Sequence, residues 1–241
     1  MGEVMRVVQD APSDEALERA QQVLEAQGVL VMPTDSVYGI GCVATDDNPA
    51  YERIFAIKRR DRAQVLPWLV AEVDDLARLG RNVSSEALAL ARAFWPGAFT
   101  IVVEASDEVP SGYQSADGTI ALRMPDSILV RELARRAGPL AVTSANTHGA
   151  PTPASFDELE RAIVDAADVT LDGGACPGGT SSTIVSCVGG ALAILREGPI
   201  TAEDIARVRL YRLVDDAEHD IEKGQMRDAW ESMREARERL T

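Results

Sequence analysis

Short apolar runs, bounded by glycine, proline or polar residues, alternate along this chain with segments whose apolar residues recur every three or four positions. Val29–Met32, Phe99–Val103, Thr119–Met124, Leu140–Thr143, Thr183–Val188 and Ala191–Arg196 are too short for helices and read as strands. Between them lie helical patterns. Ser13 precedes an acidic first turn, Asp14 and Glu15, and Leu17, Ala20 and Leu24 follow before Gly28 stops the run. Asn48-Pro49 opens a second helix, whose Tyr51, Ile54, Phe55 and Lys58 share one face and set Lys58 in the last turn. A third is capped by Ser84 or Ser85, carries Leu88, Ala91 and Trp95 on one side and ends at Pro96-Gly97. Ser155 and Glu158 form a capping box ahead of a fourth, running towards Ala166. Gly189-Gly190, between two strands, reads as a two-residue hairpin turn. The expectation is a mixed α/β fold with at least one antiparallel hairpin. Composition changes near Val208. Residues 1–208 form the expected main domain. Residues 209–241 read as one helix or a helical hairpin with a break at Gly224, its contacts coming from Leu213, Ile221, Met226, Trp230 and Met233. Such a segment packs on the domain or serves as a dimerising or partner-binding arm.

Four polar segments follow or flank these elements. Pro33-Thr34-Asp35-Ser36-Val37-Tyr38-Gly39-Ile40-Gly41 leaves a buried strand directly, and strand ends commonly line ligand sites. Lys58-Arg59-Arg60-Asp61-Arg62 puts four cations in five residues; arginine forks and lysine charges grip phosphate or carboxylate. Thr143-Ser144-Ala145-Asn146 brings hydroxyls and an amide to a strand tip. Gly173-Gly174 through Thr183 offers backbone amides to an anion, yet it lacks the Gly-Lys-Ser/Thr of a Walker loop.

The net charge of −15 and an aromatic content of 5% oppose a broad nucleic-acid surface, without excluding a small basic pocket. Cys42, Cys176 and Cys187 are an odd, scattered set and read as reduced structural thiols. With only His148 and His219, neither a zinc motif nor a Ser-His-Asp triad is legible. No membrane span or signal peptide is evident, so the cytoplasm is the expected compartment. A pocket of cations, hydroxyls and amides suits nucleotidyl or phosphoryl transfer.

Taken in order, these segments resemble the YrdC/Sua5 family over about Ser13 to Arg207. Pro33–Gly41 is similar to the family's PTDTVYGLG, and Lys58 with Arg60 to its lysine-x-arginine pair. Trp95-Pro96-Gly97 with Phe99-Thr100, Thr119–Pro125, Thr143–Asn146, Ser182–Val185 and Ile194–Arg196 with Gly198 resemble its remaining motifs. The resemblance implies a twisted mixed sheet around an open concave cavity, helices outside. It implies an L-threonylcarbamoyladenylate synthase, acting on L-threonine, bicarbonate and ATP with magnesium. The product would pass to a transferase complex that modifies adenosine 37 of tRNA. Ser36, Arg123, Ser144 and Ser182 stand at threonine-contacting positions. Lys58, Arg60, Gln64, Thr119, Asn146 and Arg196 stand at nucleotide-contacting positions, with Lys58 and Arg60 offsetting phosphate charge. The sequence departs from the family at Asp61, Gln64 and Val65-Leu66 after the basic pair, and at Ser186. The segment beyond Arg209 is too short for the larger Sua5-type domain, suggesting a short bacterial form with an added helix. Other readings are an RNA-binding, translation-associated protein with weak tRNA contact, and a paralogue that is inactive or uses another carbamoyl substrate. A homodimer through the C-terminal helices is a further expectation.

Overall fold

The computed structural model describes residues 2–62 and 64–222. Their strands are β1 (Glu3–Arg6), β2 (Leu30–Met32), β3 (Gly39–Val43), β4 (Trp68–Leu69), β5 (Gly80–Arg81), β6 (Phe99–Ala105), β7 (Thr119–Arg123), β8 (Leu140–Ser144), β9 (Val169–Asp172), β10 (Thr183–Ser186) and β11 (Ala193–Arg196). The helices are α1 (Asp14–Glu25), α2 (Pro49–Lys58), α3 (Asp75–Leu79), α4 (Ser85–Phe94), α5 (Ile128–Ala137), α6 (Arg161–Ala166) and α7 (Ala202–Glu222). One mixed sheet holds every strand, in the order β1-β9-β2-β3-β8-β4-β7-β6-β10-β11, with β5 beside β6.

Both faces of this sheet are covered, which explains why β2 reads as an unbroken apolar run. Val29 and Val31 join one core cluster, while Leu30 and Met32 join the other. The second cluster is closed by α1 and α5, through Leu17, Leu24, Leu129 and Leu133. The first takes Tyr51, Ile54 and Phe55 from α2 and Leu90 from α4. Close packing also explains the glycines of β3. A Cβ on Gly39 would stand 2.6 Å from Val142 Cγ1, and one on Gly41 would stand 2.7 Å from the Ala141 carbonyl.

Local signals account for the helix starts. Ser13, Asn48 and Ser84 each accept a hydrogen bond from the first turn they cap, and Pro49 fills the first helical position of α2. The Ser155–Glu158 capping box does not form. Phe156–Glu158 is a single 3-10 turn without a side-chain cap, and Glu158 instead accepts from the Ala154 amide; α6 begins three residues later. The third helix stops at Phe94, so Trp95 is its extended C-cap, and the peptide Trp95-Pro96 is cis. The hairpin at Gly189-Gly190 exists, β10 and β11 being antiparallel, and both glycines have positive φ. Its connection is longer than two residues, because a 3-10 turn over Val188–Gly190 separates the strands.

α7 crosses the composition change at Val208 as one helix. Ile205 and Leu213 are buried, and Arg209 pairs with Glu86 at the start of α4. Gly224, Met226, Trp230 and Met233 lie outside the described residues. Among the described residues no helix is long and apolar enough to cross a membrane.

Candidate functional site

The turn after β2 is built by one hydroxyl. Thr34 Oγ1 accepts from the amides of Ser36 and Val37, and donates to the Val37 carbonyl at 2.8 Å. This knot aims Asp35 and Ser36 across the sheet at Arg123, the last residue of β7. The Arg123 guanidinium donates to Ser36 Oγ at 2.9 Å, to the Gly97 carbonyl at 2.9 Å and to Asp35 Oδ1. In the sheet β8 and β4 stand between β3 and β7, three strand spacings or about 14 Å if flat. Direct contact therefore means that the sheet and this turn curve around a common centre.

Arg196 and Ser182 join the same centre. Arg196 donates through Nε and Nη2 to the Ser182 carbonyl at 2.9 and 2.7 Å, and through Nη2 to Ser182 Oγ at 3.2 Å. Ser182 Oγ also shares a 2.8 Å hydrogen bond with Thr100, a buried threonine of β6. Burial, with the neighbouring charge of Arg123, holds Arg196 below the ordinary arginine range. Two arginines and one buried carboxylate, Asp35, thus converge here.

A second centre forms around the basic run. Arg59 ends α2 in the left-handed conformation, φ 52°, a costly position for a side-chain-bearing residue. That turn sorts the four cations. Lys58 points into the interior and is only 2% exposed, Arg60 returns to β8, and Arg59 faces solvent. Arg62 leaves the group altogether, pairing with Glu52 at 2.7 Å and lying over Tyr51. Lys58 Nζ donates to the carbonyls of Ser144 and Asn146 and to Asn146 Oδ1. Burial, then the charge of Arg60, pushes Lys58 down to about 8, with Glu160 acting the other way. Arg60 donates to Thr143 Oγ1 at 2.9 Å, and its buried Nε has no hydrogen-bond partner among the described residues. An orphaned buried donor of this kind calls for a ligand or water.

Asn146 is fixed from several sides, accepting from Ser144 Oγ at 2.5 Å and donating to the Ala150 carbonyl at 2.7 Å. Glu160 anchors the loop beyond it, accepting from the Thr147 amide and hydroxyl at 2.6 and 2.8 Å. Thr119 sits at the start of β7, bonded to Ser115 and Asp117. Because β8 runs antiparallel to β4 and β4 parallel to β7, the Ser144 end of β8 lies towards the Thr119 end of β7.

The candidate residues thus form two neighbouring clusters, Arg123 with Ser36, Ser182 and Arg196, and Lys58 and Arg60 with Thr143, Ser144 and Asn146. They border each other, because Gly39 pairs with Ser144 and the Ala145 amide donates to the Tyr38 carbonyl, which sets the turn that carries Ser36 beside the second cluster. Gln64 is exposed, and among the described contacts its side chain meets neither group; its amide donates to the Asp61 carbonyl at 3.3 Å. In the glycine-rich segment the amides of Gly173 and Gly178 donate to Tyr38 Oη and to the Asp35 carbonyl, so these two brace the first motif. Asp35 lay inside the first polar segment and Thr100 inside a matched motif, but neither was given a ligand, whereas nothing in the sequence ties Glu160 to Thr147.

The family model described as "Telomere recombination", for Sua5, YciO and YrdC proteins, matches residues 22–198. A protein of Mycobacterium tuberculosis (strain ATCC 25618 / H37Rv) is 37% identical over 185 residues, 77% of this chain and 85% of that one. The threonylcarbamoyl-AMP synthase of Bacillus subtilis (strain 168) is 32% identical over 198 residues, 81% of this chain and 57% of that one. Among solved structures, P. abyssi Sua5 complexed with L-threonine superposes with a TM-score of 0.80 at 30% identity, covering 85% of this chain and 60% of that one. E. coli YciO gives a TM-score of 0.75 at 24% identity over 85% of this chain and 100% of that one, a likeness of fold.

Proposed function

The chain belongs to the Sua5/YciO/YrdC family, and on that premise we propose that it is an L-threonylcarbamoyladenylate synthase. Threonine, once its ammonium has given a proton to solvent, condenses with bicarbonate to a carbamate and water, and the carbamate oxygen displaces pyrophosphate at the α-phosphorus of ATP. The product suits a transferase that modifies adenosine 37 of tRNA.

The observation that carries this reading is the pair of neighbouring cationic centres, one around Arg123 and Arg196 and one around Lys58 and Arg60. Thr119 and Arg123 share one face of the strand, four residues or about 13 Å apart. That span fits an amino acid joined to a nucleotide better than it fits either alone. In this assignment Arg123, Ser36 and Ser182 take threonine, the guanidinium receiving its carboxylate. Lys58, Arg60, Thr119 and Asn146 take the nucleotide, and Arg196 borders the place where carbamate and α-phosphate meet. All three arginines and the lysine are held by neighbouring protein oxygens. Such preorganised charge lowers a barrier without reorganisation at the moment of reaction.

Magnesium enters as part of the ATP substrate. The ion would be carried by the ATP phosphates.

The test is product identity. Incubation with ATP, magnesium, bicarbonate and L-threonine should give a species with the mass of threonylcarbamoyl-AMP, and labelled bicarbonate should appear in it. A threonyl-adenylate without the carbamoyl carbon would contradict the proposal.

A further inference from the structure

We infer that Asp35 recognises the α-ammonium group of the amino acid, so that Arg123, Arg196 and Asp35 together read the ligand as a zwitterion. This rests on the amino-acid assignment of that centre. Asp35 and Arg123 are a buried pair, their side chains 9% and 8% exposed. A carboxylate is not needed there to hold the arginine in place. Ser36 Oγ and the Gly97 carbonyl already accept from two of its nitrogens. Nor does Asp35 balance the charge, because Arg196 stands beside the pair and leaves the centre with one net positive charge. That surplus matches one ligand carboxylate, while Asp35 is, among the described residues, the one anion paired within the cluster. An α-amino acid carries its carboxylate and ammonium on the same carbon. Groups that bind the two must themselves be neighbours, as Arg123 and Asp35 are.

The aspartate is also held as a binding group should be. Its carbonyl accepts from the Gly178 amide at 2.9 Å, and a Cβ on Gly178 would stand 2.6 Å from that oxygen. Among the described residues Arg123 is the one donor reaching its carboxylate, and it reaches Oδ1. Oδ2 can then accept from the ammonium, a charge-assisted hydrogen bond.

Calorimetry with L-threonine and with 3-hydroxybutyrate tests this. The second compound keeps the carboxylate and the β-hydroxyl and lacks the ammonium. The wild type should prefer threonine by about ten- to a hundredfold, the range of a hydrogen bond to a charged group. In Asp35→Asn that preference should fall to about threefold or less, mainly through weaker threonine binding. Circular dichroism checks folding, and Asp35→Ser, smaller and uncharged, serves if asparagine is not tolerated. Equal wild-type affinity for both compounds would overturn the inference, as would a folded variant that keeps the wild-type ratio. Either result leaves the amino-acid assignment standing, provided that threonine binds. A wild type that binds neither compound would overturn that assignment and this inference together.

Discussion

Lys58 donates to three oxygens of the turn after β8, so truncating it removes more than a charge. Each buried acceptor left unpaired costs about 1–3 kcal/mol. Lys58→Ala should therefore lose both turnover and several degrees of thermal midpoint. Arg60 makes one side-chain bond and already has an orphaned Nε, so Arg60→Ala should lose turnover while its midpoint stays near wild type. Thermal unfolding of the two variants checks the contrast; equal midpoints would mean that the Lys58 contacts are not maintained. The lowered proton affinity of Lys58 adds a pH signature. Its ordinary value is 10.5, and burial brings the folded one to about 8. Above pH 8 the folded chain gives up this proton before the unfolded chain does. The unfolded state then binds more protons, so the contribution of this group to stability rises with pH between about 8 and 10.5. A nucleotide site needs the charged form, so kcat/KM for ATP should fall over the same rise through about 8. Activity and stability thus move in opposite directions, and a pH series of both measures it.

At the scale of elements, the site depends on how tightly β3 lies against β8. A Cβ at position 39 meets Val142 Cγ1 at 2.6 Å, with every other neighbour at 3.6 Å or beyond. Overpacking of this sort costs roughly 1–3 kcal/mol. Gly39→Ala should destabilise by that amount in denaturant unfolding, and Val142→Ala in the same chain should recover part of it. Gly41→Ala should not be rescued, because its Cβ also meets the Ala141 backbone carbonyl at 2.7 Å. Much of this level was legible in the sequence. The strands around Val29–Met32, Phe99–Val103 and Leu140–Thr143 announce themselves by apolar runs, and the caps at Ser13, Asn48 and Ser84 by their side chains. What stayed hidden had no local signature. β3 lies inside a polar, glycine-rich motif, and its glycines answer to Val142, a hundred residues away in sequence. β4 and β5 are two residues each, too short for any period to show. The Ser155–Glu158 pattern was present, but Glu158 found the Ala154 amide first.

For the whole molecule, the sequence marked which residues carry chemistry, and the sheet decides which of them meet. Lys58 and Asn146 are 88 positions apart, as are Asp35 and Arg123. Asp35 and Arg123 meet although β8 and β4 stand between β3 and β7, because the sheet and the turn after β2 curve around a common centre. The C-terminal helix shows the same limit. Its charge and periodicity were readable, but its docking on α4 through Arg209 and Glu86 was not. The two-centre arrangement makes one demand on function: neither ligand alone should support the reaction. Pyrophosphate release from ATP, with magnesium present and with L-threonine and bicarbonate supplied together or singly, measures this directly. The account predicts release only when both are supplied. Release that proceeds equally without threonine or without bicarbonate would contradict it.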